Sequence, residues 1–244
     1  MTTVRTDREW ILEALRKVAG GTSLKRYSPD TIREGGMCAQ QVREAIEGAL
    51  GIPANTWEVG VAAHEVRKAR GGVVRYAADY EKAAVRLGLA KPAADMRRGD
   101  VLYWPYTARV RENGVWVAKA YGHTAQYLGN GLVLENSDAN AEKLVERGAQ
   151  QPLGRGTQIF VTPLALRGMP RTVIWPTSAI RDAERDLPRP APVPAVPVAT
   201  AHRVLLSQDG QDWQDVTGAR VEIKDARRVV VNATEGGKTW VRLF

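Results

Sequence analysis

The sequence has only one cysteine and three histidines among its 244 residues. A single cysteine excludes an internal disulfide, and so few Cys and His residues leave no cluster for a structural zinc site. We therefore expect no metal and no cofactor. No stretch approaches the roughly 20 apolar residues of a transmembrane helix, so we expect no membrane span. The first ten residues carry charges where a signal peptide needs an apolar run. We expect synthesis in the cytoplasm without a signal peptide.

Acidic residues are outnumbered by basic ones, 27 to 35, which gives a net charge of +8. A basic surface attracts polyanions, and these include teichoic acids and anionic bacterial envelopes as well as nucleic acid. The basic residues are not interleaved with an aromatic ladder, and no helix-turn-helix or zinc-finger signature is present. We therefore expect no specific nucleic-acid partner.

A proline-rich segment over residues 187–198 divides the chain. Prolines at this spacing cannot continue a helix or a central strand, so the segment is typical of a semi-rigid tether. The pattern predicts a large domain over 1–180, a linker over 181–200 and a small β-rich module over 201–244 that docks on or binds another molecule. The alternative is a tail that packs back on the large domain.

The large domain begins with helical patterns and continues with strand patterns. The capping box Thr6-Asp7-Arg8-Glu9 predicts a first helix. We predict further helices over 38–50, 62–69 and 77–87, strands over 101–104, 115–118, 123–128, 132–135 and 159–161, and groove loops over 106–114 and 138–153. Helices followed by an antiparallel meander indicate an α+β fold with the N-terminal helices packed on one side of the sheet.

Cys38 lies at the predicted start of a helix, after a Gly35-Gly36-Met37 turn. The helix dipole and the unpaired N–H groups at that end favour a reactive thiolate. The alternative is a small core residue, because Cys38 shares an apolar helical stripe with Val42.

A thiolate nucleophile needs a base, and three histidines could supply it. His64 lies in a helical run and fits a solvated or packing residue, whereas His202 lies beyond the linker. His123 begins a predicted strand directly after Gly122, where its side chain can face a helix N-terminus.

The segments Arg98-Gly-Asp-Val-Leu-Tyr-Trp104 and Gly122-His-Thr-Ala-Gln-Tyr-Leu-Gly-Asn-Gly131 resemble paired strands of NlpC-type cell-wall peptidases and their CHAP relatives. These are papain-like cysteine hydrolases of bacteria and phages. The family order is a cysteine heading a helix, a Gly-Asp strand, a Gly-His strand and a polar third residue on the next strand. All four occur here in order over about residues 27–163. Met37-Cys38-Ala39-Gln40 departs from the family's usual Asp-Cys-Ser-Gly or Gln-Cys.

The resemblance implies that Cys38 is the nucleophile and His123 the general base, acting through an acyl-enzyme. The backbone N–H of Cys38 would then be one oxyanion donor. Tyr27, eleven residues before Cys38, lies near the position of an active-site tyrosine in the NlpC-type group. It is a candidate second contributor, with an ordinary loop aromatic as the alternative.

Strand parity indicates which polar residue of the next strand lies beside His123 as the third member of the site. If Gly129-Asn130-Gly131 is a three-residue hairpin loop, His123 lies opposite Ser137 and Glu135 shares its face one diagonal step away. An even-numbered loop would instead turn Asn136 towards His123. We predict Glu135, which the family position also favours, and retain Asn136 as the alternative.

Together these features favour a peptidoglycan hydrolase that cleaves a stem-peptide or muramoyl-alanine amide bond. We expect a phage or prophage product, released as an endolysin or carried in a virion, whose C-terminal module binds a wall polymer or phage tail protein. One alternative is a non-catalytic adaptor of a phage-like particle. Another is a cytosolic cysteine deamidase, isopeptidase or acyltransferase effector.

Overall fold

The computed structural model describes residues 5–72, 76–112, 115–138 and 141–188, and the strand residues 205–207, 214–215, 221–225, 228–231 and 240–242. The chain divides into two compact units, Met1–Pro194 and Ala195–Phe244. His202 lies outside the described residues. No helix of the described part is long and apolar enough to cross a membrane.

The first unit combines helices with antiparallel strands, which confirms the predicted α+β class. Its helices are α1 (Asp7–Ala19), α2 (Pro29–Arg33), α3 (Cys38–Leu50), α4 (Glu58–Lys68), α5 (Ala77–Arg86), α6 (Ala141–Glu146) and α7 (Ser178–Glu184). Its strands are β1 (Ala90–Lys91), β2 (Val101–Trp104), β3 (Thr107–Glu112), β4 (Val115–Ala120), β5 (His123–Gly129), β6 (Leu132–Asn136), β7 (Ile159–Pro163) and β8 (Thr172–Ile174).

Local sequence signals explain the two helices that matter most for the site. At the start of α1, Thr6 and Glu9 form the predicted capping box, with the Thr6 hydroxyl accepting from the Glu9 N–H. Helix α3 occupies the predicted range and ends at Gly51, which adopts φ 64°, a left-handed conformation that favours glycine. Its apolar stripe, which includes Val42 and Ile46, is buried.

The strands form a six-stranded sheet in the order β1-β8-β2-β5-β6-β7, and all its pairings are antiparallel. One face carries the main core, to which α1, α3, α4 and α5 contribute apolar side chains. The opposite face buries a smaller cluster that includes Leu102, Trp104, Ala125 and Val133. Because successive strand residues point to opposite faces, one strand serves both clusters.

Two predicted loops differ from the structure, and one helix extends across a predicted boundary. Residues 107–112 form β3, which pairs with β4 as a separate two-stranded hairpin between β2 and β5. The loop predicted over 138–153 contains α6. Helix α7 continues past residue 180, the predicted end of the domain, and its last residue, Glu184, accepts hydrogen bonds of 2.5 and 2.7 Å from Arg8 of α1.

The second unit contains only strands among its described residues. They are β9 (Leu205–Ser207), β10 (Gln214–Asp215), β11 (Val221–Asp225), β12 (Arg228–Val231) and β13 (Trp240–Arg242). One sheet has the order β10-β9-β13, and β11 pairs with β12 in a second sheet.

Candidate active site

Cys38 is the first residue of α3 and is buried, with 8% of its surface exposed. The residue before the helix, Met37, makes no side-chain hydrogen bond to the first turn, so its side chain does not occupy the N–H groups there. The thiol therefore lies at the positive end of the helix dipole. This is the placement that favours a thiolate.

The turn that leads into Cys38 is held by the side-chain amide of Asn136. Its Oδ1 accepts from the Met37 N–H at 2.8 Å. Its Nδ2 donates to the carbonyl oxygens of Thr31 at 2.9 Å and Glu34 at 2.8 Å. One buried amide thus fixes three backbone groups before Cys38. Asn136 was the alternative partner for His123, and its amide instead serves the Cys38 turn.

Cys38 and His123 lie at the junction of α3 and β5, where both line one pocket and each shifts the pKa of the other. His123 begins β5, and Gly122 before it has φ 70°. The His123 ring also lies beside the Trp104 indole of the neighbouring strand, with ring centroids 5.9 Å apart. The glycine turn and the indole together set the direction of the imidazole.

The third member of the arrangement is Glu135. The register pairs Tyr127 with Val133, as predicted, although the hairpin differs in detail. The loop is the two-residue Asn130-Gly131 turn, with both φ angles positive, and a bulge between Tyr127 and Gly129 restores the parity of a three-residue loop. Glu135 consequently lies on the same face as His123.

The carboxylate of Glu135 is fully buried, and its Oε2 lies 2.6 Å from Nε2 of His123. Because Nε2 faces Glu135, Nδ1 is the ring nitrogen left for Cys38. Burial alone would raise the pKa of Glu135, but its hydrogen bonds and charge interactions with His123 and Arg167 lower that pKa to about 2. Glu135 is therefore a carboxylate at neutral pH.

The same contacts favour the charged forms of the other two groups. Burial would lower the pKa of His123, but the adjacent Cys38 and the hydrogen bond and charge of Glu135 raise it to about 9. Burial would raise the pKa of Cys38, but the adjacent His123, followed by the backbone and side chain of Thr124, lowers it below its usual value. The site favours a thiolate–imidazolium pair.

Thr124 and Arg167 are site residues that sequence reasoning missed. The buried Thr124 hydroxyl makes no hydrogen bond of ordinary geometry, yet it is close enough to Cys38 to lower the pKa of the thiol. Arg167 contacts Glu135 through Nε at 3.0 Å and Nη2 at 2.9 Å. The parity of β5 could have pointed to Thr124, which faces the helices. No local motif marks Arg167, which follows β7 in a short 3-10 turn.

An open pocket of about 750 Å³ gives access to the Cys38 and His123 side chains. Aromatic rings line much of it, and Asp138 and Arg167 are the charged side chains of its lining apart from His123. The aromatic members are Tyr76, Trp104, Tyr106 and Tyr121. A pocket of this size lies within the range of protein sites that enclose most of a drug-sized ligand.

The structure does not bring Tyr27 into this pocket. Its hydroxyl accepts from Gln41 Nε2 at 3.0 Å, within the main core, and burial raises its pKa well above the usual value. His64 is exposed on α4. Asp100 of the Gly-Asp segment is fully buried and pairs with Arg8 and Lys91, at 2.9 and 2.7 Å, so its contacts are structural.

No group of three or more His, Cys, Asp or Glu residues in the described part of the chain is placed to hold a metal ion. A scan of protein-family models and searches of curated proteins and of solved structures find no match to this chain. Any functional conclusion therefore depends on the residues of the site.

Proposed function

We propose that the protein is a papain-like cysteine hydrolase that cleaves an amide bond of peptidoglycan. The observation that carries the proposal is the juxtaposition of Cys38, His123 and Glu135, in which the sulfur lies at a helix N-terminus and a buried carboxylate holds the imidazole by a hydrogen bond. This is the arrangement that activates a thiol nucleophile. The order of the Gly-Asp and Gly-His strands supports the NlpC and CHAP resemblance.

In the proposed reaction the Cys38 sulfur attacks the carbonyl carbon of the scissile amide. The oxyanion that forms accepts a hydrogen bond from the Cys38 backbone N–H at the start of α3. The imidazolium of His123 then gives its proton to the leaving nitrogen as the carbon–nitrogen bond breaks. The products of this half-reaction are a free amine, a thioester on Cys38 and neutral His123.

Water completes the cycle. Neutral His123 accepts a proton from the attacking water, whose oxygen bonds to the thioester carbon, and the Cys38 sulfur leaves as a thiolate. Glu135 remains ionised throughout and stabilises the imidazolium whenever it forms. Release of the carboxylic acid product restores the thiolate–imidazolium pair.

The wall substrate is supported by the resemblance, by an open pocket lined with aromatic rings, and by a net charge of +8 that attracts anionic envelopes. The proposal includes release from the cytoplasm by phage-encoded functions or transport in a virion. In either case the second unit would bind a wall polymer or a virion protein.

The test is release of soluble fragments from purified sacculi of several wall chemotypes, with mass spectrometry of the products. We expect the full chain to release muropeptides with a new carboxyl group and a new amine. Cys38→Ala should abolish the release, whereas His64→Ala, at an exposed position on α4, should leave it unchanged. Absence of release from every chemotype would reject the wall as substrate.

A further inference from the structure

The side chain of Arg167 contacts both oxygens of the buried carboxylate, including Oε2, which also bonds the imidazole. Nε lies 3.2 and 3.0 Å from the two Glu135 oxygens, and Nη2 lies 2.9 Å from Oε1. Nη2 also donates to the Ser137 hydroxyl at 3.0 Å. The guanidinium thus orients the carboxylate through two-point contacts. It is itself held by Ser137, two residues after Glu135.

The segment that carries Arg167 is fixed at both of its ends. The N–H of Leu164 donates to the Gly131 carbonyl at 2.7 Å, which ties the segment to the β5–β6 turn. The indole N–H of Trp104 donates to the carbonyl of Gly168 at 3.0 Å. Since the same indole lies beside His123, one residue positions both the base and the segment that bears Arg167.

The charges of the site explain why such a cation is needed. A buried carboxylate that faces only an imidazole costs free energy unless a second partner compensates its charge. Glu135 is fully buried, whereas the Arg167 side chain is 25% exposed and reaches the pocket. Arg167 therefore compensates with its positive charge for the hydration that the buried carboxylate has lost.

We propose that Arg167 is a positioning residue that keeps Glu135 ionised and oriented, and that through Glu135 and His123 it maintains the thiolate of Cys38. The inference rests on the proposed function only in taking Cys38 as the reactive group, because thiolate formation does not depend on the substrate.

Loss of the Arg167 charge should disfavour the Cys38 thiolate whether Glu135 stays ionised or becomes protonated. If Glu135 stays ionised, its charge is no longer balanced, and the greater negative potential disfavours a thiolate nearby. If Glu135 becomes protonated, the imidazolium loses its partner and the thiolate loses the cation beside it. In both cases more alkaline conditions are needed to form the thiolate.

The test is the pH dependence of Cys38 alkylation by iodoacetamide, in which the thiolate displaces iodide and forms a thioether. Cys38 is the only cysteine, so each protein reports one site. For Arg167→Met we expect the midpoint of the acidic limb to rise by about one pH unit, which slows alkylation about tenfold at pH values below both midpoints. Arg167→Lys should give a smaller rise, since it keeps the charge and loses the paired geometry.

Arg171→Met is the matched control. Arg171 makes a comparable two-point contact with Glu81, at 2.7 and 2.6 Å from Nη2, and it does not line the pocket. We expect it to leave the midpoint unchanged. The inference is overturned if a folded Arg167→Met protein keeps the wild-type midpoint, or if Arg171→Met shifts it equally. If Arg167→Met does not fold, an unchanged midpoint in Arg167→Lys overturns it.

The two proposals fail in distinguishable ways. A shifted alkylation midpoint without wall hydrolysis would retain the role of Arg167 and reject the substrate. Wall hydrolysis with an unshifted midpoint would do the reverse. Where hydrolysis is measurable, Arg167→Met should lower kcat with little change in KM. A rise in KM alone would instead make Arg167 a substrate-binding residue and contradict the inference.

Discussion

Gly122 lies directly against the ring of Tyr103, so that a Cβ atom added to this glycine would overlap the ring and approach the Tyr103 hydroxyl oxygen to 2.9 Å. Gly122 also has φ 70°, which side-chain-bearing residues rarely adopt. Two independent constraints therefore require glycine immediately before His123. This contact gives the Gly-His pair a physical reason, because the glycine lets β5 begin where the imidazole reaches Cys38.

Gly122→Ala is expected to destabilise the fold and to displace His123. A positive φ at a non-glycine residue costs about 1 to 3 kcal/mol, and the overlap with Tyr103 adds to it. Gly154→Ala is the matched control, because Gly154 has φ 94° and no atom within 4 Å of an added Cβ. Urea unfolding and the rate of Cys38 alkylation measure the two effects. Equal losses in both variants would show that the Tyr103 contact is unimportant.

Glu135→Gln is expected to lower the pKa of His123 from about 9 towards its ordinary value of 6.5. The amide keeps the shape of the side chain and can still accept from Nε2, but it removes the negative charge. The pKa can be followed by NMR titration of the His123 ring protons, identified by their loss in His123→Gln. Glu81→Gln, in the ion pair with Arg171 outside the pocket lining, is the control. A His123 pKa that stays near 9 in Glu135→Gln would contradict the assignment.

The free energy of unfolding of the wild-type protein should also depend on pH through the Glu135–His123 pair. The pKa of Glu135 is depressed from 4.5 to about 2, so its contribution is present above about pH 4.5 and lost as pH falls towards 2. The pKa of His123 is raised, so its contribution is present below 6.5 and lost as pH rises through about 9. The excess stability over Glu135→Gln should therefore be largest between about pH 4.5 and 6.5, on the order of 2 kcal/mol.

Urea unfolding of both proteins at about pH 3, 5.5 and 9.5 measures that difference. We expect it to shrink at both extremes, because the carboxylate loses its advantage on the acidic side and the imidazolium disappears on the alkaline side. A difference that does not change across the three conditions would mean that the charge of Glu135 does not stabilise the fold through His123.

Short-range sequence signals predicted the helices and strands that carry the site. The contacts between residues far apart in the sequence could be identified only from the folded structure. The capping box at Thr6 and the glycine after Leu50 locate helix ends because helix termination is a local event. Strand parity predicted that His123 and Glu135 share a face, since side chains alternate with a period of two. The bulge beside Gly129 preserved that parity although the loop had a different length.

The residues that sequence reasoning missed lie far along the chain from their partners. Arg167 is 32 residues from Glu135, and no spacing rule connects a turn after β7 to a carboxylate on β6. The sequence suggested Asn136 only as a partner of His123. Strand parity indicates which face a side chain lies on, but it does not indicate which loop the side chain contacts. The prediction for Tyr27 depended on its distance along the sequence from Cys38. That distance does not determine whether the ring lies in the core or in the pocket.

Asn136→Asp is expected to disorganise the turn before Cys38. The carboxylate could still accept from the Met37 N–H, but it would face the carbonyl oxygens of Thr31 and Glu34 without a proton to donate. Each lost buried hydrogen bond costs about 1 to 3 kcal/mol. We expect lower stability at pH 7 with partial recovery at acidic pH, as the carboxyl group regains a proton. Thermal unfolding at both pH values tests this, and equal losses would contradict it.

Thr124→Val separates activation of the thiol from packing beneath it. Valine is close to threonine in size, and a buried hydroxyl without a hydrogen-bond partner costs free energy, so its removal should not destabilise the fold. Removal of the hydroxyl dipole should raise the pKa of Cys38 and move the acidic limb of its alkylation profile to higher pH. Thr124→Ser, which keeps the hydroxyl but loses a methyl group, should retain the wild-type midpoint. The reverse result, in which Ser shifts the midpoint and Val does not, would show that the methyl group controls the position of the sulfur and that the hydroxyl has no part in its reactivity.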